Sequence, residues 1–145
     1  MSRLSASAAR LFREAHPHIH ALTDITGFSL IGHAHEMAHL SKLALRFALD
    51  DLPLLPGTEG YAKEGLLTGG GNRNAGYYGT FVTLSRPIER WQSDVLYDPQ
   101  TSGPLLAAVD PSHAPALVAA FRAAGEPVWV VGEAIDGPEG SIEVA

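Results

Sequence analysis

The chain has 145 residues, 46% hydrophobic and 18% charged, and its 10 Lys and Arg against 16 Asp and Glu leave a net charge of −6. This length and composition predict one globular domain with a buried core, and the acidic balance argues against binding through nucleic-acid phosphates, which requires clustered basic residues. The chain contains no cysteine, which excludes a disulfide framework, a zinc–thiolate site and a thiol nucleophile within it.

The first predicted element is an amphipathic helix over residues 5–15, in which apolar side chains recur at spacings of three and four residues. Its charged residues Arg10, Arg13 and Glu14 are unlike a secretory signal, and no run of about 18 apolar residues indicates a transmembrane helix. We therefore expect a cytoplasmic protein that does not contact a membrane.

A short extended stretch at residues 19–23 leads to Asp24, and a second helix follows over residues 28–40. Gly27 opens this helix, and Thr26 is the expected N-cap because its hydroxyl can accept a hydrogen bond from the first helical turn.

The rest of the chain continues to mix helices and strands. Further strands are predicted at 42–49, 80–84, 105–109, 128–135 and 141–144, further helices at 58–66, 87–94 and 112–124, and a flexible glycine-rich loop at 67–74. Asp136-Gly137 is a turn signal between the last two strands and suggests an antiparallel pair. With no repeat or linker, the pattern predicts one α+β domain over residues 1–145, in which a mixed, largely antiparallel sheet is layered under helices.

The first motif is Thr-Asp-Ile-Thr-Gly-Phe-Ser-Leu-Ile-Gly-His at residues 23–33, where the pattern changes from strand to helix. Such a turn can present a carboxylate and backbone N–H groups together to a metal–phosphate ligand. An Asp beside Thr residues ahead of a helix is also a common cap or Asx-turn, and one carboxylate does not complete a cation site. The residues alone leave both roles open for Asp24.

The second motif is Asp-Pro-Gln-Thr-Ser-Gly at residues 98–103, a run of turn-forming residues ahead of a predicted strand. The third motif is Gly-Gly-Gly-Asn-Arg-Asn at residues 69–74, which is glycine-rich but lacks the lysine of a P-loop. Alone, each is compatible with a purely structural turn, and we expect Asp98 and Thr101 to order their loop rather than to perform chemistry.

Together the three motifs resemble the selenophosphate synthetase (selenide, water dikinase) family, whose sequences read close to TDVTGFGLLGH, GGTxRN and DPQTSGG at these places. The resemblance implies a C-terminal domain like that of aminoimidazole ribonucleotide synthetase, an architecture shared with thiamine monophosphate kinase. Members of the family make selenophosphate from ATP, selenide and water and release AMP and phosphate. The resemblance further implies that residues 1–145 are the C-terminal domain of a longer two-domain enzyme and are inactive alone.

The resemblance also implies roles for single residues. Asp24 stands where the family has an Asp that reaches the Mg²⁺ at the ATP site, and Thr26, Gly27 and Asn74 stand at expected cofactor-binding positions. No catalytic residue is expected in this chain. The implied partners are an N-terminal ATP-binding domain, which carries the other metal ligands, and a second copy in a homodimer.

Two residues depart from the family pattern. Ser29 replaces a glycine of the first motif, and Pro104, which has no N–H and a fixed φ, replaces the second glycine of DPQTSGG. Two non-enzyme alternatives therefore stay open, namely a stand-alone interaction or regulatory domain and a degenerate family member.

A remote alternative is a zinc peptidase, because residues 35–39 read His-Glu-Met-Ala-His, an HExxH sequence on a predicted helix. The predicted apolar face of that helix leaves Glu36 nearly opposite and His39 on the flank, so the motif should face solvent. This arrangement favours adventitious zinc or nickel binding over proteolysis. His16, His18 and His20 form a second group. On a strand, His18 and His20 would lie on the same side and could form a weak metal site, but we favour ordinary exposed loop residues there.

Overall fold

The structure, a computed structural model, describes residues 5–145. The helices are α1 (Ala6–Glu14), α2 (Ser29–Leu40), α3 (Thr58–Lys63), α4 (Gly69–Tyr78), α5 (Arg90–Leu96) and α6 (Ala114–Ala123). The strands are β1 (Ile19–Asp24), β2 (Ala44–Phe47), β3 (Val82–Leu84), β4 (Leu105–Val109), β5 (Gly132–Ile135) and β6 (Ile142–Val144). Within this part of the chain, no helix is long and apolar enough to cross a membrane.

The strands form two sheets. β1 and β4 make an antiparallel ribbon, in which Asp24 lies opposite Leu105. The other sheet has the order β3-β6-β2-β5, with β2 antiparallel to β5 and parallel to β6, and β6 parallel to β3. The layered α+β architecture is confirmed, and its strand pairings are divided evenly between the two directions.

β5 and β6 do not form the antiparallel pair that Asp136-Gly137 suggested, because they lie on opposite sides of β2. The chain between them crosses one end of β2, where the Gly140 N–H donates to the Leu43 carbonyl at 2.9 Å and the Leu45 N–H donates to the Ser141 carbonyl at 3.0 Å. These bonds start β6 in parallel register with β2.

The main core lies between α2 and the four-stranded sheet. Ile31, Ala34 and Ala38 of α2 are fully buried, as are Ile142 and Val144 of β6. Since the partly buried side of the β1–β4 ribbon packs against the same core, the C-terminal end of β1 and the start of α2 are held on one rigid body.

A second, smaller core joins α1 to α6 near the other end of the ribbon. It contains Leu11, Ala15, Leu117 and Phe121. The rings of Phe12 and Phe121 are 4.9 Å apart between centroids. The amphipathic helix predicted at the N-terminus therefore packs on α6, and residues 1–4 of the chain lie outside the described residues.

Three sequence predictions need correction. The strand predicted at 42–49 is regular only in β2, where Ala44, Leu45 and Phe47 are each less than 8% exposed. The predicted loop at 67–74 is instead mostly helix α4, which the Thr68 hydroxyl caps by accepting the Gly71 N–H at 3.1 Å. The strand expected at 128–135 is regular only in β5.

Candidate functional site

The first and second motifs lie side by side, because the antiparallel pairing of β1 with β4 continues irregularly into the residues after Asp24 and before Leu105. The Ile25 N–H donates to the Pro104 carbonyl at 2.9 Å, and the Gly103 N–H donates back to the Ile25 carbonyl at 3.1 Å. One residue further, the Gln100 N–H donates to the Thr26 carbonyl at 3.0 Å. The first and second motifs are far apart in the sequence, but in the structure they form one pair of loops.

Pro104 fits this loop pair without loss of a bond. The pairing with Ile25 uses the carbonyl of Pro104 and the N–H of Gly103. It therefore does not need a backbone N–H at position 104, which proline lacks. A glycine is required at position 103 because the Ile25 backbone lies very close to it. A Cβ built on Gly103 would lie 2.4 Å from the Ile25 carbonyl oxygen.

Asn74 of the third motif joins both loops. Its side-chain Nδ2 donates to the Gly27 carbonyl at 3.0 Å and to the Tyr97 carbonyl at 3.1 Å, and the residue is only 7% exposed. Both amide hydrogens are therefore used inside the protein. These bonds give Asn74 a bridging role that no local pattern reveals, and its predicted place at the cofactor stays a prediction.

Asp98 holds the second motif in place. Its carboxylate accepts the Thr68 hydroxyl at 3.1 Å and the Gln100 side-chain amide at 3.4 Å. Because Thr68 also caps α4, Asp98 connects the second motif to the helix that carries the third. No hydrogen bond within residues 5–145 involves the Thr101 side chain.

Asp24 is the last residue of β1, and it is exposed. Side chains of β1 alternate between half-buried and exposed, so that His20, Leu22 and Asp24 share the outward face. Within the part of the chain that the structure describes, no donor bonds the Asp24 carboxylate. An Asx-turn or a cap therefore does not account for this residue, and its carboxylate is available to a ligand.

Thr26 does not cap α2, contrary to the sequence prediction. Its hydroxyl lies 3.1 Å from Nε2 of His33, a residue that is only 9% exposed. The cap position of α2 is occupied by Phe28, which makes no side-chain cap bond. The Ser29 N–H donates to the Thr26 carbonyl and closes a tight turn ahead of α2. This turn separates Thr26 from the first turn of the helix.

The backbone between Asp24 and α2 offers unused donors. The N–H groups of Thr26, Gly27 and Phe28 bond to no acceptor in the described residues. A Cβ built on Gly27 would meet nothing within 4 Å, so the space beside this backbone is open. These donors precede the positive end of the α2 dipole, which attracts anions such as phosphate.

The contact between α2 and α4 fixes the position of this turn. A Cβ on Gly32 would lie 2.7 Å from Cβ of Phe28 and 2.8 Å from Cε2 of Tyr78, so the glycine leaves room for both side chains. Burial raises the pKa of the Tyr78 hydroxyl. It therefore stays protonated at neutral pH and adds no charge beside the first motif.

The site thus combines one free carboxylate with free backbone donors. Within residues 5–145, no group of three or more His, Cys, Asp or Glu side chains could hold a metal ion by itself. A hard cation such as Mg²⁺ needs few protein ligands when phosphate oxygens and water complete its shell. Asp24 fits such a shared site, and Thr26 and Gly27 lie beside it.

Comparison with known proteins identifies relatives over almost the whole chain. Residues 3–145 match the family described as AIR synthase related protein, C-terminal domain. The chain is 43% identical over 138 residues to a selenide, water dikinase of Rhizobium meliloti (strain 1021). The matched residues make up 94% of this chain and 38% of that protein. A selenide, water dikinase of Pelobacter propionicus is 44% identical over 121 residues, or 83% of this chain and 35% of that protein.

The chain therefore spans little more than a third of the length of the curated relatives it matches. Among solved structures, a thiamine-monophosphate kinase from Stenotrophomonas maltophilia K279a has a similar fold, with a TM-score of 0.54 and 16% identity, over 87% of this chain and 31% of that one. At this identity the likeness concerns the fold alone.

Proposed function

Because this chain belongs to the family of AIR synthase related C-terminal domains, we propose that it is the C-terminal domain of a selenophosphate synthetase, which makes selenophosphate from ATP, selenide and water. Similarity to proteins named selenide, water dikinase over most of the chain supports this function. The single structural observation that carries it is the exposed Asp24 carboxylate, which has no partner in residues 5–145.

Asp24 would hold a Mg²⁺ ion that also binds the phosphates of ATP. The cation, when bound, neutralises charge that develops on the transferred phosphoryl group. The free N–H groups of Thr26 and Gly27 would donate hydrogen bonds to phosphate oxygens, in the way that backbone donors ahead of a helix do. His33 holds the Thr26 hydroxyl and so fixes the side chain next to these donors.

The proposal requires a partner, because one carboxylate and a few amides do not activate ATP. We propose an N-terminal ATP-binding domain of the same protein, in agreement with the greater length of the relatives. We further propose that the complete enzyme is a cytoplasmic homodimer. The exposed outward face of β1, with Leu22 45% exposed beside Asp24, is available for the domain contact.

The test is a chimera in which this chain replaces the matching segment of the Rhizobium meliloti relative. We expect ATP- and selenide-dependent formation of AMP, and we expect Asp24→Asn to reduce turnover at least 100-fold while the thermal unfolding midpoint stays within 1–2 °C, about the effect of a surface change. Asp136→Asn, which alters another exposed Asp, is the matched control and should keep full activity.

The outcomes separate the alternatives. An active chimera in which Asp24→Asn has no effect would remove Asp24 from the site. A folded chimera without activity would support a degenerate member or a stand-alone interaction domain. The 145-residue chain alone should show no ATP hydrolysis, and Asp24-dependent hydrolysis by it would contradict the need for a partner domain.

A further inference from the structure

Two histidines on α2, one helical turn apart, are held by consecutive residues of the turn that precedes β6. Nδ1 of His35 lies 2.8 Å from the Gly140 carbonyl oxygen. Nδ1 of His39 lies 3.0 Å from Oε1 of Glu139. The His35–Gly140 and His39–Glu139 pairs therefore orient both imidazoles from the same side.

These contacts fix which ring nitrogen carries the hydrogen. A carbonyl oxygen only accepts hydrogen bonds, so Nδ1 of His35 donates to Gly140, and in the neutral ring Nε2 keeps a lone pair. Nδ1 of His39 lies within ion-pair distance of the Glu139 carboxylate, and this contact favours the same tautomer. Among the described residues, the fully buried polar side-chain atoms without a partner are Arg46 Nε and Trp91 Nε1. Nε2 of His35 is not one of them, so this atom keeps some exposure to solvent.

The geometry points to a two-histidine site for a borderline divalent transition metal, such as Ni²⁺, Cu²⁺ or Zn²⁺, on the Nε2 atoms of His35 and His39. Histidines at i and i+4 on a helix can bind one such ion. The two rings are 6.0 Å apart between centroids and within 18° of parallel. The ring of His35 also stacks on Phe81 at 3.9 Å, which restricts its rotation.

The Nδ1 contacts have the form of the outer-shell bonds that support metal-binding histidines. Such ligands typically donate their second ring N–H to a carboxylate or a backbone carbonyl, which fixes the tautomer and makes the free nitrogen more basic. Glu139 and Gly140 provide one acceptor of each kind. No third His, Cys, Asp or Glu completes a ligand set within residues 5–145, so water fills the remaining positions.

This composition also separates the site from a zinc peptidase. Peptidase zinc has three protein ligands and a water activated in a cleft, whereas here Glu36 and His39 are exposed on the outer side of α2. The site is therefore expected to bind a metal ion reversibly, without hydrolytic activity.

Calorimetric titration of NiCl₂ into the 145-residue chain tests the site. We expect one site per chain, and His35→Gln and His39→Gln should each weaken binding at least tenfold. Glu139→Gln should weaken it about tenfold, the lower end of the effect of losing an outer-shell carboxylate. The matched control is His18→Gln, which removes one ring of the His18–His113 stack at 4.0 Å and should leave affinity unchanged.

Nitrogen-detected NMR of the histidine rings gives a test that does not depend on affinity. In the metal-free chain at a pH where the rings are neutral, His35 and His39 should show the Nδ1–H tautomer, and their Nε2 signals should broaden or shift when NiCl₂ is added. Unchanged nickel affinity in the folded His35→Gln/His39→Gln double variant, loss of binding in His18→Gln, or Nε2–H tautomers in both rings would each overturn the proposal.

Discussion

Ser29 adopts a left-handed backbone conformation, with φ +68°, at the first position of α2, and it is fully buried. This conformation costs a residue with a Cβ roughly 1–2 kcal/mol, and glycine, which the related family carries here, escapes that cost. Glycine also loses more entropy on folding, by roughly 0.5–1 kcal/mol. We therefore predict that Ser29→Gly raises the free energy of unfolding by about 0.5–1 kcal/mol, measured by urea denaturation.

Two neighbouring positions at the other end of α2 serve as controls for that prediction. Lys42 has φ +57° and should also gain stability on change to glycine. Ser41 has φ −90°, so Ser41→Gly should lower stability. A loss of stability in Ser29→Gly would mean that the buried hydroxyl contributes more than the backbone conformation costs.

Replacing Asn74 removes the two hydrogen bonds that its side-chain amide donates to the Gly27 and Tyr97 carbonyls. Asn74→Asp keeps the shape but leaves the Gly27 and Tyr97 carbonyls without their donor and places a charge among buried groups. Each orphaned polar group costs about 1–3 kcal/mol, so for the two carbonyls we expect a loss of roughly 2–6 kcal/mol in the free energy of unfolding.

Chemical denaturation of Asn72→Asp supplies the comparison, because Asn72 is exposed on the same helix and the change should cost less than about 0.5 kcal/mol. Equal stability of the two variants would show that the bridge contributes little. Since Asn74 bonds carbonyls of both loops, the bridge also predicts faster hydrogen exchange of the Ile25 and Gln100 N–H groups, which pair the two loops, in the Asn74→Asp variant.

Among the elements, the contact between the first and second motifs depends on the small size of Gly103. A Cβ at this position would lie 2.4 Å from the Ile25 carbonyl oxygen and 3.1 Å from Cβ of Gln100. Because backbone atoms cannot move aside as a flexible side chain does, we predict that Gly103→Ala lowers the unfolding free energy by about 1–3 kcal/mol. Thermal unfolding measures this change.

Gly27→Ala is the matched control, because a Cβ at Gly27 would meet no atom within 4 Å. Its stability should stay within about 0.5 kcal/mol of the parent chain. A destabilised Gly27→Ala together with an unaffected Gly103→Ala would contradict the packing of the two loops described above.

Local sequence patterns predict the elements whose stability is mostly local. The helix at 28–40 and the strand at 19–23 were found almost at their observed bounds because apolar spacing and Gly27 mark them. α4 was missed because its three leading glycines have poor helix propensity. It forms through tertiary contacts that the local pattern does not contain, namely the Thr68 cap bound to Asp98 and the buried Asn74 bridge.

The candidate site was predictable only in part for the same reason. Asp24 was placed correctly at the end of a strand ahead of a helix, because that depends on neighbours in the sequence. The pairing of Thr26 with His33, and of both loops with Asn74, joins residues that are 7 to 47 positions apart. The crossing of the chain from β5 to β6 was missed because a turn signal does not specify which strand lies beside it.

At the scale of the whole molecule, Arg46 on β2 connects three strands of the larger sheet. Its guanidinium lies 3.1 Å from Glu133 on β5 and 3.1 Å from Glu143 on β6, and the Ser85 hydroxyl donates to Glu143 at 2.6 Å. The hydrogen bond from Arg46, followed by that from Ser85, lowers the pKa of the Glu143 carboxyl below its ordinary value. The ionised form of Glu143 is therefore favoured in the folded state.

A lowered pKa has a definite sign for stability. The contribution of Glu143 is fully present above the carboxyl pKa of the unfolded chain, about 4.3, and is lost as the pH falls through the lower pKa of the folded state. We predict that Glu143→Gln lowers the urea midpoint at pH 7 and that the difference from the parent chain shrinks steadily between pH 5 and pH 3. Glu133→Gln, at a side chain that is 63% exposed, should have a smaller effect at every pH because solvent screens the pair. A gap between Glu143→Gln and the parent chain that stays constant with pH would show that charge at this position does not stabilise the sheet.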